Sequence, residues 1–571
     1  MIKKLLIPLL LFVCSTVYAE TIKTDVLVIG GGANGVAAAI QSARSKVKTL
    51  LVEPDPWLGG SMTMGGMCVL EANRNFPSGI WSEFHKRVTD YYRQRLGYDT
   101  TQNSILRFEP YTGAEILKKI TDTVKNLTVK LKTPWSSIKK EGTGWEVSIN
   151  LNGEVVKVDA KVVIDGTETG EVAAKAGAKF DDGTEKITWI AILKDFGEIT
   201  DKTIAKPEGY DPASYAWLKG KDIKQMLHEV SIPNDKYMID WSRQGDEQSA
   251  KTEDRSVLYK KEKLRTLGLI YYLQTELGYK NLGLDEQFDT PDHLPPMPYI
   301  LSGKHVKGLV RMVLDDILKP YDRESKLYRT SIAVSDASPD GKSASYTVPL
   351  GSIVAKDVDN ILVTEKALSV SDEVNPGVIS PSVQMNIGQG VGATAAYCAF
   401  FKTTTQHLRV RVIQGEILDH KGYIMPLSDI SQKDPHFRAI QQVCATGLLK
   451  GVQKTINNGT EINFEPNALV NTEEIKPFIN EIYARGFLWF SKEKPGEQFT
   501  LGNLLSLISD YTLTDPKSLQ LYIQKYWTTQ FKLTGAFDLN RPATRLEFAV
   551  LTNRYLNPFA KTVDMSGRMV N

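Results

Sequence analysis

Cysteine is scarce in this 571-residue chain: there are four thiols, and no two form a Cys-x-x-Cys pair. That spacing argues against a redox disulfide or a cysteine zinc site, and no metal is expected. Cys14 falls in the N-terminal leader described below, while Cys68, Cys398 and Cys444 are widely separated and read as buried, unpaired thiols. An excess of charge of one sign is missing too. Lys and Arg number 69 against 67 Asp and Glu, and removal of residues 1–19 takes away Lys3 and Lys4 and brings the formal charge to zero. Nothing in that balance courts nucleic acid. A long hydrophobic run is also absent: the apolar stretch from Leu5 to about Val17 is shorter than the ~20 residues that span a bilayer.

That stretch has the form of a secretory leader. Lys3 and Lys4 supply the charged start, Leu5 to Val13 the apolar core, and Val17-Tyr18-Ala19 a small-residue cleavage site. The expectation is an exported protein, periplasmic or secreted, with no transmembrane segment once residues 1–19 are removed. Phe12 and Val13 before Cys14 fit a lipidation site poorly.

The chain exceeds the usual ~100 to 200 residues of one domain. Thr24 to Ile29 is an apolar, β-rich run, Gly35 to Arg44 reads as a helix, and Val47 to Val52 as a second strand. Trp145 to Leu151 and Val155 to Val158 flank Asn152-Gly153, a strong hairpin signal, and Val162 to Ile164 reads as a further buried strand. The composition then shifts towards Tyr, Lys, Asp and Pro. The expected fold is α/β: a Rossmann-like dinucleotide-binding domain made of 20–197 and 341–412, an inserted α+β substrate or cap domain at 198–340, and an all-α domain at 425–560.

The chemistry lies in glycine. Gly30, Gly32 and Gly35 satisfy G-x-G-x-x-G around Ala33 and Asn34. Gly30 permits the tight turn, Gly32 lets backbone approach a pyrophosphate, and Gly35 lets the helix pack on the strand. The helix N-terminus offers free N–H groups and a favourable dipole to the phosphates. Glu53, 18 residues after Gly35, can accept hydrogen bonds from a ribose hydroxyl, and it disfavours a 2′-phosphate by like charge. Gly59, Gly60, Ser61, Thr63 and Gly65 make a second glycine-dense segment suited to passage beside a long cofactor, which favours FAD over NAD. Asp165-Gly166 follows the strand at Val162, and Gly388, Gln389 and Gly392 open an Ala-rich stretch running to Phe401.

Together these segments resemble the FAD-dependent oxidoreductases of the glutathione-reductase structural superfamily. They are more closely similar to an exported bacterial family carrying LGG, IDAT-x-x-GD and GQA-x-G at comparable places. The resemblance implies that Asp165 contacts the ribityl or diphosphate part of FAD. It also implies that the helix at Gly388 to Gly392 points its N-terminus at the flavin ring, where it would stabilise reduced flavin. The loop Ser369 to Ser380 lacks the His and Arg of those relatives, so Asp372 and Glu373 become the candidate proton acceptors by position.

Phe464-Glu465-Pro466-Asn467 and Phe537 to Arg545, 73 residues apart at their phenylalanines, each precede a helix. They resemble S-layer homology modules, which implies a cell-wall glycan as a partner; such modules usually come in three copies, so with two degenerate copies a structural helical appendage is the favoured reading. The reading that results is a flavoenzyme moving hydride between a small organic molecule, carbohydrate-derived compounds included, and FAD, with an electron acceptor still to be named. A wall- or glycan-binding protein with a degenerate flavin domain and a NAD-dependent dehydrogenase are the alternatives.

Overall fold

The computed structural model describes residues 21–101, 103–241, 254–322, 324–337, 343–456 and 459–570. The leader expected at 1–19 lies outside the described residues. Among them, no helix is long and apolar enough to cross a membrane.

The strand Ile22–Ile29 is the centre of a parallel sheet. It pairs with Thr49–Val52 on one side and with the C-terminal half of Glu154–Asp165 on the other. Leu127–Lys130 extends the sheet beyond Thr49–Val52, and Ile361–Val363 lies along Val163 to Asp165, both in parallel. Its central strands are buried on both faces, which is why they read as unbroken Val, Leu and Ile runs. The helix Ala33–Arg44 packs on one face together with the late helix Pro381–Phe401, and both are buried along nearly their whole length. This is the Rossmann-like α/β fold the sequence predicts.

The Asn152-Gly153 hairpin forms as expected, with φ of 56° and 91° supplying the two positive angles of a tight turn. It joins Gly144–Leu151 to Glu154–Asp165, with Trp135–Glu141 completing an antiparallel ribbon. The expected separate strands at Val155 and Val162 are one continuous strand of 12 residues. Its first half pairs with the ribbon and its second half with the parallel sheet, so its burial changes midway while its backbone does not.

A second sheet has Ala191–Asp195 at its middle, antiparallel to Lys236–Ile239 and to Leu282–Leu284. Trp189, Leu193, Tyr215, Leu269 and Leu273 form its own core with the helix Arg255–Thr275. Its strands begin before residue 198, and Lys186–Thr188 already pairs with Tyr299–Ser302. At the other end, Ser331–Ser335 lies against the late helix. The inserted unit thus starts earlier, and ends earlier, than the composition shift suggests. The helix Val410–Asp419 runs across the expected break after Val412.

The C-terminal region is mostly helical, with one β-hairpin, Val452–Ile456 with Gly459–Asn463, that also pairs with Ser343–Ala344. It contains three related units where the sequence suggests two. Val470 N–H donates to Ala543 O at 3.0 Å, Ala543 N–H to Phe499 O at 2.9 Å, and Phe499 N–H to Val470 O at 2.9 Å, closing a ring. The next residue in each unit, Asn471, Thr500 or Thr544, caps a helix by accepting from its first turn. The middle unit carries neither the Phe464-Glu465-Pro466 of the first nor the Arg541 and Arg545 of the last, which hides it from a motif reading.

Candidate active site

The site is built where the first strand turns into its helix. Gly30 lies at φ +101°, a region only glycine occupies without strain, and its backbone backs directly onto Gly166. The Gly30 N–H donates to Val52 O at 2.9 Å and the Gly166 N–H to Ile29 O at 2.8 Å, so three parallel strands are locked together at one corner. A Cβ on Gly35 would strike the Gly30 carbonyl, which explains why the helix can sit so close.

The carboxylate of Glu53 accepts from the Gly31 N–H through Oε2 and from the Asp55 N–H, at 2.9 Å, through Oε1. The side chain is buried. Burial pushes its carboxyl up to about 8, against the pull of the two backbone donors. The second glycine segment runs beside the turn, as expected. Gly59 N–H donates to Gly31 O at 2.7 Å, and a Cβ on Gly60 would stand 2.9 Å from the Gly32 Cα. Ser61 also comes to the turn. Thr63 and Gly65 do not: Thr63 Oγ1 donates to Leu58 O at 2.7 Å, and Gly65 lies on the Ser61 backbone, so both shape the segment from within.

Asp165 is fully buried and is consumed by its own loop. It accepts from Thr167 N–H at 3.0 Å, Thr167 Oγ1 at 2.6 Å and Ala173 N–H at 2.7 Å, and burial raises its carboxyl to about 6. It therefore shapes the loop that carries Gly166 and Glu168.

Ala33 and Asn34 begin the helix, with Asn34 Nδ2 donating to Gln384 Oε1 at 3.1 Å. Gly388 and Gly392 do not open the late helix. That helix starts at Pro381, a favoured first residue, and the two glycines lie inside it. A Cβ on Gly388 would strike the Asn34 backbone, and one on Gly392 the Ala38 carbonyl. They are the small residues that let two helices touch. Gln389 Nε2 donates to Gln41 Oε1 and to His420 O, both at 3.1 Å. The residues at the N-terminal end of the late helix are Ser380 to Gln384.

Asp372 and Glu373 are exposed. The Asp372 carboxylate faces His305 Nε2 at 3.6 Å, while His305 Nδ1 lies 2.9 Å from Leu368 O. Cys68 is buried and its thiol is pushed far up by burial, so it is inert at neutral pH, as expected of a packed thiol.

Three residues beside the turn go unassigned in the sequence reading. Lys366 is 1% exposed, and its ammonium pairs with Glu168, with Glu365 at 2.9 Å and with Ser61 Oγ at 3.3 Å. Two carboxylates around one buried ammonium hold it charged and raise its pKa, against the effect of burial. Glu365 is equally buried. The available signal was a Glu-Lys pair set between the apolar runs Ile361 to Val363 and Ala367 to Val370, where charges are buried only if paired.

Residues 25–417 match the model of the family described as FAD dependent oxidoreductase. The chain belongs to this family. It is thus an enzyme whose cofactor is FAD, and membership selects FAD over NAD. The digeranylgeranylglycerophospholipid reductase of Methanocaldococcus jannaschii is 29% identical over 169 residues, 27% of this chain. The chain spans 41% of that relative's length. A geranylgeranyl bacteriochlorophyll reductase-like protein from Thermoplasma acidophilum is similar in structure at a TM-score of 0.34 and 12% identity, over 83% of this chain and 100% of that one. The p-nitrophenol 4-monooxygenase PnpA of Pseudomonas putida has a TM-score of 0.34 and 12% identity, over 70% and 85% of the two chains.

The residues fit the adenosine diphosphate part of FAD. A buried acid closes the second strand, and a glycine cradle admits no Cβ at Gly30 or Gly35. A helix begins at the third glycine, with Gly32 as its N-cap.

Proposed function

We propose that this family member moves a hydride between a small organic molecule and FAD. The observation that carries the reading is the corner where Gly30, Glu53 and Gly166 meet, because it joins a phosphate cradle to a ribose acceptor. In this reading Glu53 accepts from the ribose hydroxyls, and the N–H groups at the start of Ala33–Arg44 take the diphosphate. Gly59 to Ser61 would line the cofactor beyond the turn, and Ser380 to Gln384 would border its ring. FAD supplies the hydride chemistry; the chain's residues bind it, orient it and keep water out.

Sugars and polyols head the list of substrates, because the N-terminal leader supports export and the tail supports a place in the cell envelope. Anaerobic mixing of the purified enzyme with sugars, polyols and organic acids tests this. The expected result is bleaching of the yellow flavin by one of these classes; a flavin that no organic donor reduces, and that no organic acceptor reoxidises, contradicts it.

A second reading concerns the tail alone. The closed ring of Val470, Phe499 and Ala543 supplies the third unit that a wall-binding S-layer-like module needs, and it favours a cell-wall glycan as partner. Co-sedimentation of the whole chain with peptidoglycan or wall polysaccharide tests it; a chain that stays in the supernatant contradicts it.

A further inference from the structure

One buried group against the glycine turn has no part in the reading above. Glu365 sits at φ +55°, is 1% exposed, and aims Oε1 at Gly32, where a Cβ on that glycine would stand 2.5 Å away. Its Oε2 is held by Lys366 at 2.9 Å, but Oε1 is buried without a hydrogen-bond partner. Leaving a carboxylate oxygen so is costly unless the surroundings favour negative charge. Here burial and Glu168 oppose the charge and raise the carboxyl, and Lys366 and the Asn34 backbone at the helix start only partly offset them. A carboxylate thus stands at the anion position of a dinucleotide turn.

We propose that Glu365 is the anion this turn holds when no cofactor is bound, and that a diphosphate enters only as the Glu365 carboxylate turns out. The inference rests on the FAD reading of the site. Two like charges repel strongly at contact in a buried nest, so they cannot share it. With Glu365 turned away, Lys366 keeps Glu168 as a partner and gains a donor for the incoming phosphate. Glu365 thereby sets how tightly, and at what pH, the chain takes up its cofactor.

The groups facing Glu365 are few. Lys366 lies on its own turn, Glu168 on the loop after Asp165, and Ser61 on the glycine segment. Gln384 of the late helix donates to the Glu365 carbonyl at 3.3 Å. Glu53 lies on the far side of Gly31. Burial holds the Glu365 carboxyl at about 7, so acidification discharges it and eases entry of the diphosphate. Glu53, at about 8, titrates on the same turn and is separated from Glu365 by mutation.

The full chain, freed of flavin, is titrated calorimetrically with FAD, ADP and adenosine, as wild type, Glu365→Gln and Glu365→Gly. The glycine variant also relieves the positive φ, so it serves if the glutamine variant folds poorly. Removing the charge should tighten FAD and ADP by about tenfold, the order expected of one close like-charge contact. Adenosine, which has no phosphate, should be unaffected. The pH dependence of ADP affinity around neutrality should flatten in Glu365→Gln. FAD and ADP affinities that stay the same or weaken, or an equal gain for adenosine, would overturn the proposal. A wild type that binds FAD alongside variants of equal affinity removes only the role of Glu365; a wild type that binds no FAD removes the cofactor reading and this inference with it.

Discussion

Gly30 and Gly166 back onto each other so closely that a Cβ on either would strike the other's carbonyl. The contact joins the ends of two parallel strands at the point where the first helix begins. Gly30→Ala should therefore lose cofactor and stability together. Strain at φ +101° costs about 1–3 kcal/mol, before any displacement of Gly166 is counted. Chemical denaturation with and without added FAD checks this, and unchanged stability with normal flavin content contradicts it.

Buried acids make the flavin-free protein sensitive to alkali. Burial raises Glu53 to about 8, Glu365 to about 7 and Asp165 to about 6. A carboxyl raised on folding contributes stability that is present below its unfolded pKa, near 4, and is lost as pH rises through the folded value. The contribution of Glu53 should thus fade between about pH 4.5 and about pH 8. Glu53→Gln removes it, so the Tm difference between variant and wild type should change with pH across that window. A constant difference contradicts the assignment.

Gly388 and Gly392 act through helix contact. Alanine at Gly388 gains about 1 kcal/mol of helix propensity but must displace the Asn34 backbone, and overpacking of this kind costs about 1–3 kcal/mol. Valine at Gly392 meets the Ala38 carbonyl in the same way. Both variants should lower Tm and weaken FAD by shifting the glycine-turn helix. Normal Tm with weakened FAD would instead favour direct contact with the cofactor.

The tail is bolted to the flavin domain. Arg329, fully buried, makes a two-pronged ion pair with Glu481 at 2.7 and 2.8 Å. Glu481→Ala leaves a buried guanidinium short of its partner. Loss of one partner of a buried pair costs about 3–5 kcal/mol, and the partial exposure of Glu481 places this one nearer about 2 kcal/mol. Truncation before residue 425 should give an insoluble chain, because it uncovers Tyr328 and Arg329 and removes the partner of Ser343–Ala344. A soluble, yellow truncated protein contradicts this.

Much of the architecture was legible because it depends on glycine and on buried β-branched runs. The turn at Gly30 to Gly35, the acid at Glu53 and the Asn152-Gly153 hairpin each carry a local backbone requirement that a sequence states openly. The start of the late helix was not legible, since Pro381 to Ile387 is buried on every side and shows no amphipathic stripe. Nor was Glu365, whose buried charge is paired with Lys366 and opposed by Glu168, a residue far away in sequence. Only position in a loop points to Asp372 and Glu373, and the loop turns them to solvent. The middle tail unit was hidden because Phe499 and Thr500 keep the backbone ring and the cap without the surrounding motif.

The central claim is that the corner of Gly30, Glu53 and Gly166 holds FAD. Its most direct test is to denature the purified full chain and identify what it releases by mass and absorbance. The expected result is a yellow protein that releases about one FAD per chain, with Gly30→Ala colourless. A colourless wild type that takes up no added FAD, or one that releases NAD, contradicts the account.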